Sequence, residues 1–269
     1  MKNIGLEYVR GLLACGKYTF SRFDAEKALS RHGDSLNKIL MRLKRAGWVL
    51  PLGDDFFTIV DPQNRSLGHI PPAWFVDSWA EFKGIEYYVA GLSAAELHGA
   101  AHQRPQVFQM VVNRSMRPFR LPSLAVRFLY RRTIIASMWE QKKAPTGYFR
   151  VSTPEVTAYD LLSLRNACPS LDHAATVYVE LGEAMRTRRV AALGGEGFET
   201  PVLQRLGWML DHTGWEKLTA GLDRGLVRRQ RDWVRLSTRL PVKGERNGKW
   251  RVIENTDIQP DIAPNKAGA

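Results

Sequence analysis

The segment SLNKILMRLKRAGWVLP, Ser35 to Pro51, decides the reading of the N-terminal third. Leu36, Ile39, Leu40 and Leu43 recur at helical spacing and mark a stripe to be buried. Asn37, Lys38, Met41, Arg42, Lys44 and Arg45 take the remaining positions. Lys38, Arg42 and Arg45 stand at i, i+4 and i+7, so they share one side of the helix. Asp34 or Ser35 is the expected cap. Gly47 sits where a helix commonly stops with positive φ. Beyond it, WVLP and FFTIV read as two short strands joined by LGDD.

Upstream, IGLEYVRGLLA (residues 4–14) has apolar residues at helical spacing, and CGKYTF breaks it. In SRFDAEKAL, Ser21 and Asp24 have the separation of a capping box, and Gly33 is expected to end that second helix. Three helices followed by two strands within sixty residues is the layout of a winged helix-turn-helix. Residues 61–72, DPQNRSLGHIPP, read as a linker. A larger mixed α/β part follows over 73–258, making the fold class α+β. Strands are expected at 87–90, 107–112, 126–130, 148–151, 233–236 and 249–253. Helices are expected from a Ser93/Glu96 capping box, from Thr153-Pro154, over 171–185 and from Thr200-Pro201. Residues 259–269 read as a disordered tail.

The chain has 269 residues, 44% hydrophobic and 25% charged, which is enough for a sizeable core. No apolar run approaches the ~18 residues that span a bilayer, and the N-terminus is too charged and interrupted for a secretory signal. Cys15 and Cys168 form neither a metal pattern nor a disulfide framework, so a cytoplasmic protein without cofactors is expected. The net charge of +12 points toward phosphate backbones or acidic protein surfaces as partners.

A helix lying in the major groove reads bases mainly through its N-terminal residues. Here those are Ser35, Asn37 and Lys38: asparagine pairs two-pronged with adenine, and lysine donates to guanine. Arg42, Lys44 and Arg45 are expected to hold phosphates, with Arg22 as a further phosphate ligand. The bland alternative is an ordinary solvated face. Against it, the helix has no acid after Asp34, and residues 1–60 carry ten lysines and arginines against six carboxylates. Asp54 and Asp55 argue the other way, because they sit at the expected wing tip, where phosphate would repel them.

Four further stretches sharpen the reading: YYVAGLSAAELHGAAHQRPQVFQMVV (87–112), TPEVTAYDLL (153–162), QRLGWMLD (204–211) and NGKWRVIENTDIQPD near the end. In sequence, order and spacing they resemble the AbiEi-like antitoxins of type IV toxin–antitoxin and phage-abortive-infection systems. The resemblance implies a bacterial antitoxin that represses its own operon by binding inverted repeats in promoter DNA. It also implies a second domain that opposes a nucleotidyltransferase-type toxin.

GLSAAELHG resembles the glycine-serine loop and helix that open nucleotidyltransferase folds, so a degenerate fold of that kind is one reading of the second part. The chemistry needs two carboxylates on the next strand to hold two metal ions, and VFQMVV has none: Gln106 and Gln109 are neutral. No catalytic and no metal-binding residue is therefore assigned. His98 and His102 have a spacing that can bind zinc but lack a third ligand; the bland reading of His98 is a packed, hydrogen-bonded residue. Asp160 shows no partner in the sequence. GGEG (194–197) lacks the Lys-Ser/Thr of a P-loop.

Residues 224–251 hold ten lysines and arginines against two carboxylates. Arg224, Arg228, Arg229, Arg231, Arg235 and Arg239 are candidates for contact with DNA or with the toxin. Two other functions stay open at this point: a stand-alone winged-helix regulator whose second domain senses a ligand or mediates pairing, and a nucleic-acid-processing enzyme.

Overall fold

The structure, a computed structural model, describes residues 3–66, 68–100, 105–121, 124–195 and 197–263. Ile4–Ala14 form α1, Thr19–Ser21 β1, Arg22–Leu29 α2, Gly33–Arg45 α3, Val49–Pro51 β2 and Phe56–Ile59 β3. The three strands pair antiparallel in the order β1-β3-β2, with Thr58 opposite both Thr19 and Leu50. Val9, Phe20, Leu36, Leu40, Leu43 and Phe57 bury against one another beneath them. Ser21 and Asp24 form the expected capping box on α2. Two boundaries differ from expectation. α2 ends at Leu29, with Ser30 in the left-handed region (φ 49), so the break comes before Gly33. α3 starts at Gly33 behind an extended His32 that makes no side-chain cap bond, so neither Asp34 nor Ser35 is the cap.

The connection 61–72 is packed against the fold. Asp61 Oδ1 accepts from the Asn64 N–H at 2.9 Å and caps a 3-10 turn over Pro62–Asn64. His69 and Ile70 are buried. Val76–Lys83 form α4, and the β2–β3 hairpin docks on it. Leu52 and Phe56 share a core with Ile70, Phe75 and Trp79. Trp79 Nε1 donates to the Leu52 carbonyl at 3.2 Å, and Phe56 stacks on Phe82 with ring centres 4.6 Å apart.

Then come Tyr87–Val89 (β4), Gly91–Leu97 (α5), Val107–Val112 (β5), Phe119–Leu121 (β6), Leu124–Tyr130 (β7), Trp139–Ala144 (β8) and Gly147–Ser152 (β9). They build a mixed six-stranded sheet, β6-β7-β5-β4-β9-β8, with β5–β7 and β4–β9 parallel. Alternate side chains of β4 and β5 serve two cores, as the period of two requires. Tyr87, Val89, Met110 and Val112 pack toward α4. Tyr88 and Val111 pack toward a helical layer. Burial on both faces explains why these strands read as continuous apolar runs. Ser93 lies inside α5 instead of capping it: its Oγ accepts from the Gln109 N–H at 2.9 Å and donates to the Val107 carbonyl.

The helical layer comprises Pro154–Ser163 (α6), Leu171–Leu181 (α7), Thr187–Ala192 (α8), Thr200–His212 (α9) and Glu216–Val227 (α10). Thr153 caps α6 with Pro154 in its first turn, as expected. Val234–Arg235 (β10), Glu245–Asn247 (β11) and Val252–Glu254 (β12) close the chain as a small sheet. The expected tail begins docked: the main-chain N–H of Gln259 donates to Asp172 and that of Asp261 to Thr176. Residues 264–269 lie outside the described residues.

α9 joins two of the sequence motifs into one packed unit. Gln204 Nε2 donates to the carbonyls of Asp232 and Trp250, each at 2.9 Å. Trp208 Nε1 reaches Glu254, and Asp211 accepts from Trp250 Nε1, both at 2.7 Å. Gly207 is small because the wholly buried Trp250 indole lies on it: an added Cβ would meet the ring at 2.3 Å. Gly207→Ala should therefore lower stability by ~1–3 kcal/mol despite alanine's better helix propensity. A urea unfolding midpoint equal to or above wild type would show that the indole has room to move.

Candidate nucleic-acid interface

α3 buries Leu36, Leu40 and Leu43 and leaves Ser35, Asn37, Lys38, Met41, Arg42, Lys44 and Arg45 exposed. Lys38, Arg42 and Arg45 form one row. Lys44 lies off it, its Nζ 4.9 Å above the Phe57 ring. No carboxylate interrupts the exposed face after Asp34. Beside the helix, Trp48 is covered by two guanidinium groups, Arg65 at 3.9 Å and Arg10 at 5.6 Å from its ring centre. Both arginines are exposed and extend the positive surface.

Arg22 is placed differently. Its Nε lies 3.2 Å from Glu26, and its Nη1 is 3.8 Å from Asp55. Two carboxylates already balance it, so it is not free for phosphate. The same contacts bear on the acidic hairpin tip. Asp55 faces Arg22, and Asp54 is paired with Lys83 of α4, which lowers the Asp54 pKa through hydrogen bonding and charge. Both aspartates stay largely exposed, and Asp55 shares Arg22 with Glu26, so the charge of the tip is offset in part.

The second basic region splits in two. Arg229 is fixed in place: it donates to the carbonyls of Phe198, Gly194 and Gly195 and to the Thr200 hydroxyl. Arg231 donates to the Lys249 carbonyl and lies 3.7 Å from Asp223, and Arg235 donates to the Leu240 carbonyl. These three tie the C-terminal segment down. Arg224, Arg228 and Arg239 are exposed. Trp250 is core, whereas Trp233 is partly exposed beneath the Arg246 guanidinium at 5.2 Å.

At the Gly91-Leu92-Ser93 turn, Gln109 fills the space beside β5. Its Oε1 accepts from the Leu92 N–H at 2.8 Å, and its Nε2 donates to the Asn166 and Ala167 carbonyls. Gly91 has φ +56, and a Cβ there would meet Gln109 Oε1 at 2.2 Å. A neutral amide thus bridges two loops where that chemistry would need a metal-holding carboxylate. Among the described residues no group of three His, Cys, Asp or Glu is arranged to hold a metal.

Asp160 does have partners, unlike its appearance in the sequence. It is wholly buried and accepts from the Tyr88 hydroxyl at 3.0 Å and from Arg131 Nη2 at 2.5 Å. Burial pushes its pKa up to about 6 against the opposing pull of Arg131. His98 packs with its Nε2 2.7 Å from the Ser152 carbonyl, and burial lowers its pKa. His102 lies outside the described residues, as does Glu196 of the GGEG loop. Tyr88, His98, Ser152 and Asp160 lie in or beside two of the recognised motifs. The motifs therefore coincide with this buried polar framework between the sheet and α6.

Residues 88–212 match the family model described as the AbiEi antitoxin C-terminal domain. The fold is similar to the crystal structure of RV2827C protein from Mycobacterium tuberculosis, with a TM-score of 0.68 over 94% of this chain and 92% of that one. Sequence identity to it is 16%, so the likeness speaks for the fold alone. No curated protein matches the chain. No described helix is long and apolar enough to cross a membrane.

Proposed function

Because this chain is an AbiEi-like antitoxin, with the family's C-terminal domain at residues 88–212, we propose that it represses its own operon and counteracts a nucleotidyltransferase-type toxin in the cytoplasm, as a type IV system does. In this reading residues 1–60 act as a winged helix-turn-helix. α3 enters the major groove of promoter DNA, and Ser35, Asn37 and Lys38 meet base edges. Arg42 and Arg45 hold phosphates, and Lys44, Arg10 and Arg65 add positive charge beside them.

The observation that supports the reading is the exposed, single-signed face of α3 above a leucine stripe. The docked hairpin supports it too. Asp54 pairs with Lys83, and Asp55 shares Arg22 with Glu26, so part of the negative charge that the tip would present to a polyanion is offset. The part of the chain holding the antitoxin domain opposes the toxin, with Arg224, Arg228 and Arg239 available to the toxin, its substrate or flanking DNA. No residue is given a catalytic role.

Footprinting with the full-length protein on its own promoter tests the first half. Protection of paired inverted repeats is expected, and protection no better than on unrelated DNA would contradict it. Co-expression with the toxin gene of the same operon tests the second half. Restored growth is expected, and growth arrest despite folded antitoxin would contradict it.

A further inference from the structure

A cleft of about 810 Å³ opens between the loop that follows α6 and the C-terminal segment. Residues 163–172 form one wall and residues 236–240 the other, and Arg205 of α9 contributes to the lining. Three arginines from distant parts of the chain meet there: Arg165, Arg205 and Arg239. Arg165 and Arg239 are exposed and have no ion pair among the described residues. Arg205 is half-buried, and burial lowers its pKa. Its one hydrogen bond among the described residues is a long one, 3.4 Å, to the Pro201 carbonyl of its own helix. The single carboxylate in the lining, Asp172, already accepts the Gln259 N–H. Three arginines thus stand against one carboxylate in the lining, with Glu199 acting on Arg205 from outside it, and this positive surplus favours an anionic ligand.

Both walls are held in place before any ligand arrives, which reduces the ordering cost of binding. Asn255 fixes the wall that carries Arg239. Its Oδ1 accepts from the Ser237 N–H at 2.9 Å, and its Nδ2 donates to the carbonyls of Ser237, Leu240 and Pro241. The opposite wall is tied to the central sheet. The Asn166 carbonyl accepts from Arg127 Nη1 at 3.1 Å, and Gln109 holds the Ala167 carbonyl.

The lining is amphipathic. Leu162, Leu164 and Leu240 give partly exposed apolar surface, Leu236 and Ile258 are buried, and Ser237 and Thr238 offer hydroxyls beside Arg239. The volume lies within the ~300–1,000 Å³ of small-ligand sites, and the lining is more polar than apolar, as suits a charged ligand. Planar guanidinium forks suit phosphate oxygens. Cys168, the one thiol in the lining, is an unreactive group: burial pushes its pKa up to about 12, and its Sγ donates to the Ser170 carbonyl.

We propose that this cleft binds a nucleoside triphosphate, its phosphates on Arg165, Arg205 and Arg239 and its base against the leucine surface. The site is one of binding, not of reaction. The inference is independent of DNA reading by α3, since no cleft residue belongs to that helix.

Titration calorimetry of the full chain with ATP, GTP, CTP, UTP and inorganic pyrophosphate tests the proposal. At least one triphosphate should bind once per chain and at least tenfold more tightly than pyrophosphate. Arg165→Ala and Arg239→Ala should each weaken that binding tenfold or more; both residues are exposed, so the variants are expected to fold. Arg188→Ala, an exposed arginine outside the cleft, should bind as wild type does. Three results would overturn the proposal: no binding of any triphosphate at millimolar concentration, binding that both cleft variants leave unchanged, or pyrophosphate bound as tightly as every triphosphate.

Discussion

Asp160→Ala is expected to destabilise the protein by about 3–5 kcal/mol, the range for breaking a buried ion pair from one side. Arg131 is the reason. Its side chain is 12% exposed, its Nη2 lies 2.5 Å from Asp160, and its Nε has no partner among the described residues. An arginine cannot shed its proton, so removal of the carboxylate strands a full charge among Tyr88, Tyr159 and the helical core. The converse change, Arg131→Met, should cost less. Asp160 already has its pKa raised to about 6 and escapes the stranded charge by taking a proton.

Urea unfolding followed by circular dichroism measures both, and a loss below that of Arg131→Met for Asp160→Ala would contradict the argument. The sign of the pH dependence follows from the same group. A carboxyl whose pKa is higher folded than unfolded binds more protons in the native state. Its stabilising contribution is complete below the unfolded value near 3.8 and is lost as pH rises through about 6. Relative to Asp160→Asn, wild-type stability should fall between pH 4 and pH 6 and stay level above that. A rising difference over that interval would have the wrong sign.

The second large effect concerns DNA. Replacing Arg42 and Arg45 together with alanine removes two cations from the exposed row of α3. Two lost phosphate contacts should reduce the slope of log affinity against log salt by roughly two and weaken binding to all sequences alike. Exposed surface changes of this kind usually move stability by no more than ~0.5 kcal/mol, so the loss reports on contact and not on unfolding. An unchanged slope would exclude phosphate contact by this row.

Much of the architecture is legible because its signals are local. The leucine stripe of α3, the Ser21–Asp24 box, Gly47 and Thr153-Pro154 each act within a turn of helix, and the structure uses all of them. The misplaced features depend on distant residues. β1 is three residues long and exists through its pairing with β3, nearly forty residues on. Ser93 has the spacing of a cap, yet Gln109 engages its hydroxyl from the neighbouring strand. Arg22 looks like a phosphate ligand until Asp55 folds back onto it, and Asp160 looks solitary until β4 and Arg131 arrive. Residues 61–72 have the composition of a linker, but Ile70 is drawn into a core that the β2–β3 hairpin shares with α4, and His69 is buried too. The cleft arginines come from three separate segments, and no spacing rule joins them.

The most direct test of the account is the affinity of full-length Asn37→Ala and Lys38→Ala proteins for the preferred operator and for random DNA of equal length. If α3 reads bases through these residues, each variant loses ~1–3 kcal/mol on the operator and almost nothing on random DNA. Equal losses on both would mean that these side chains do not read base edges.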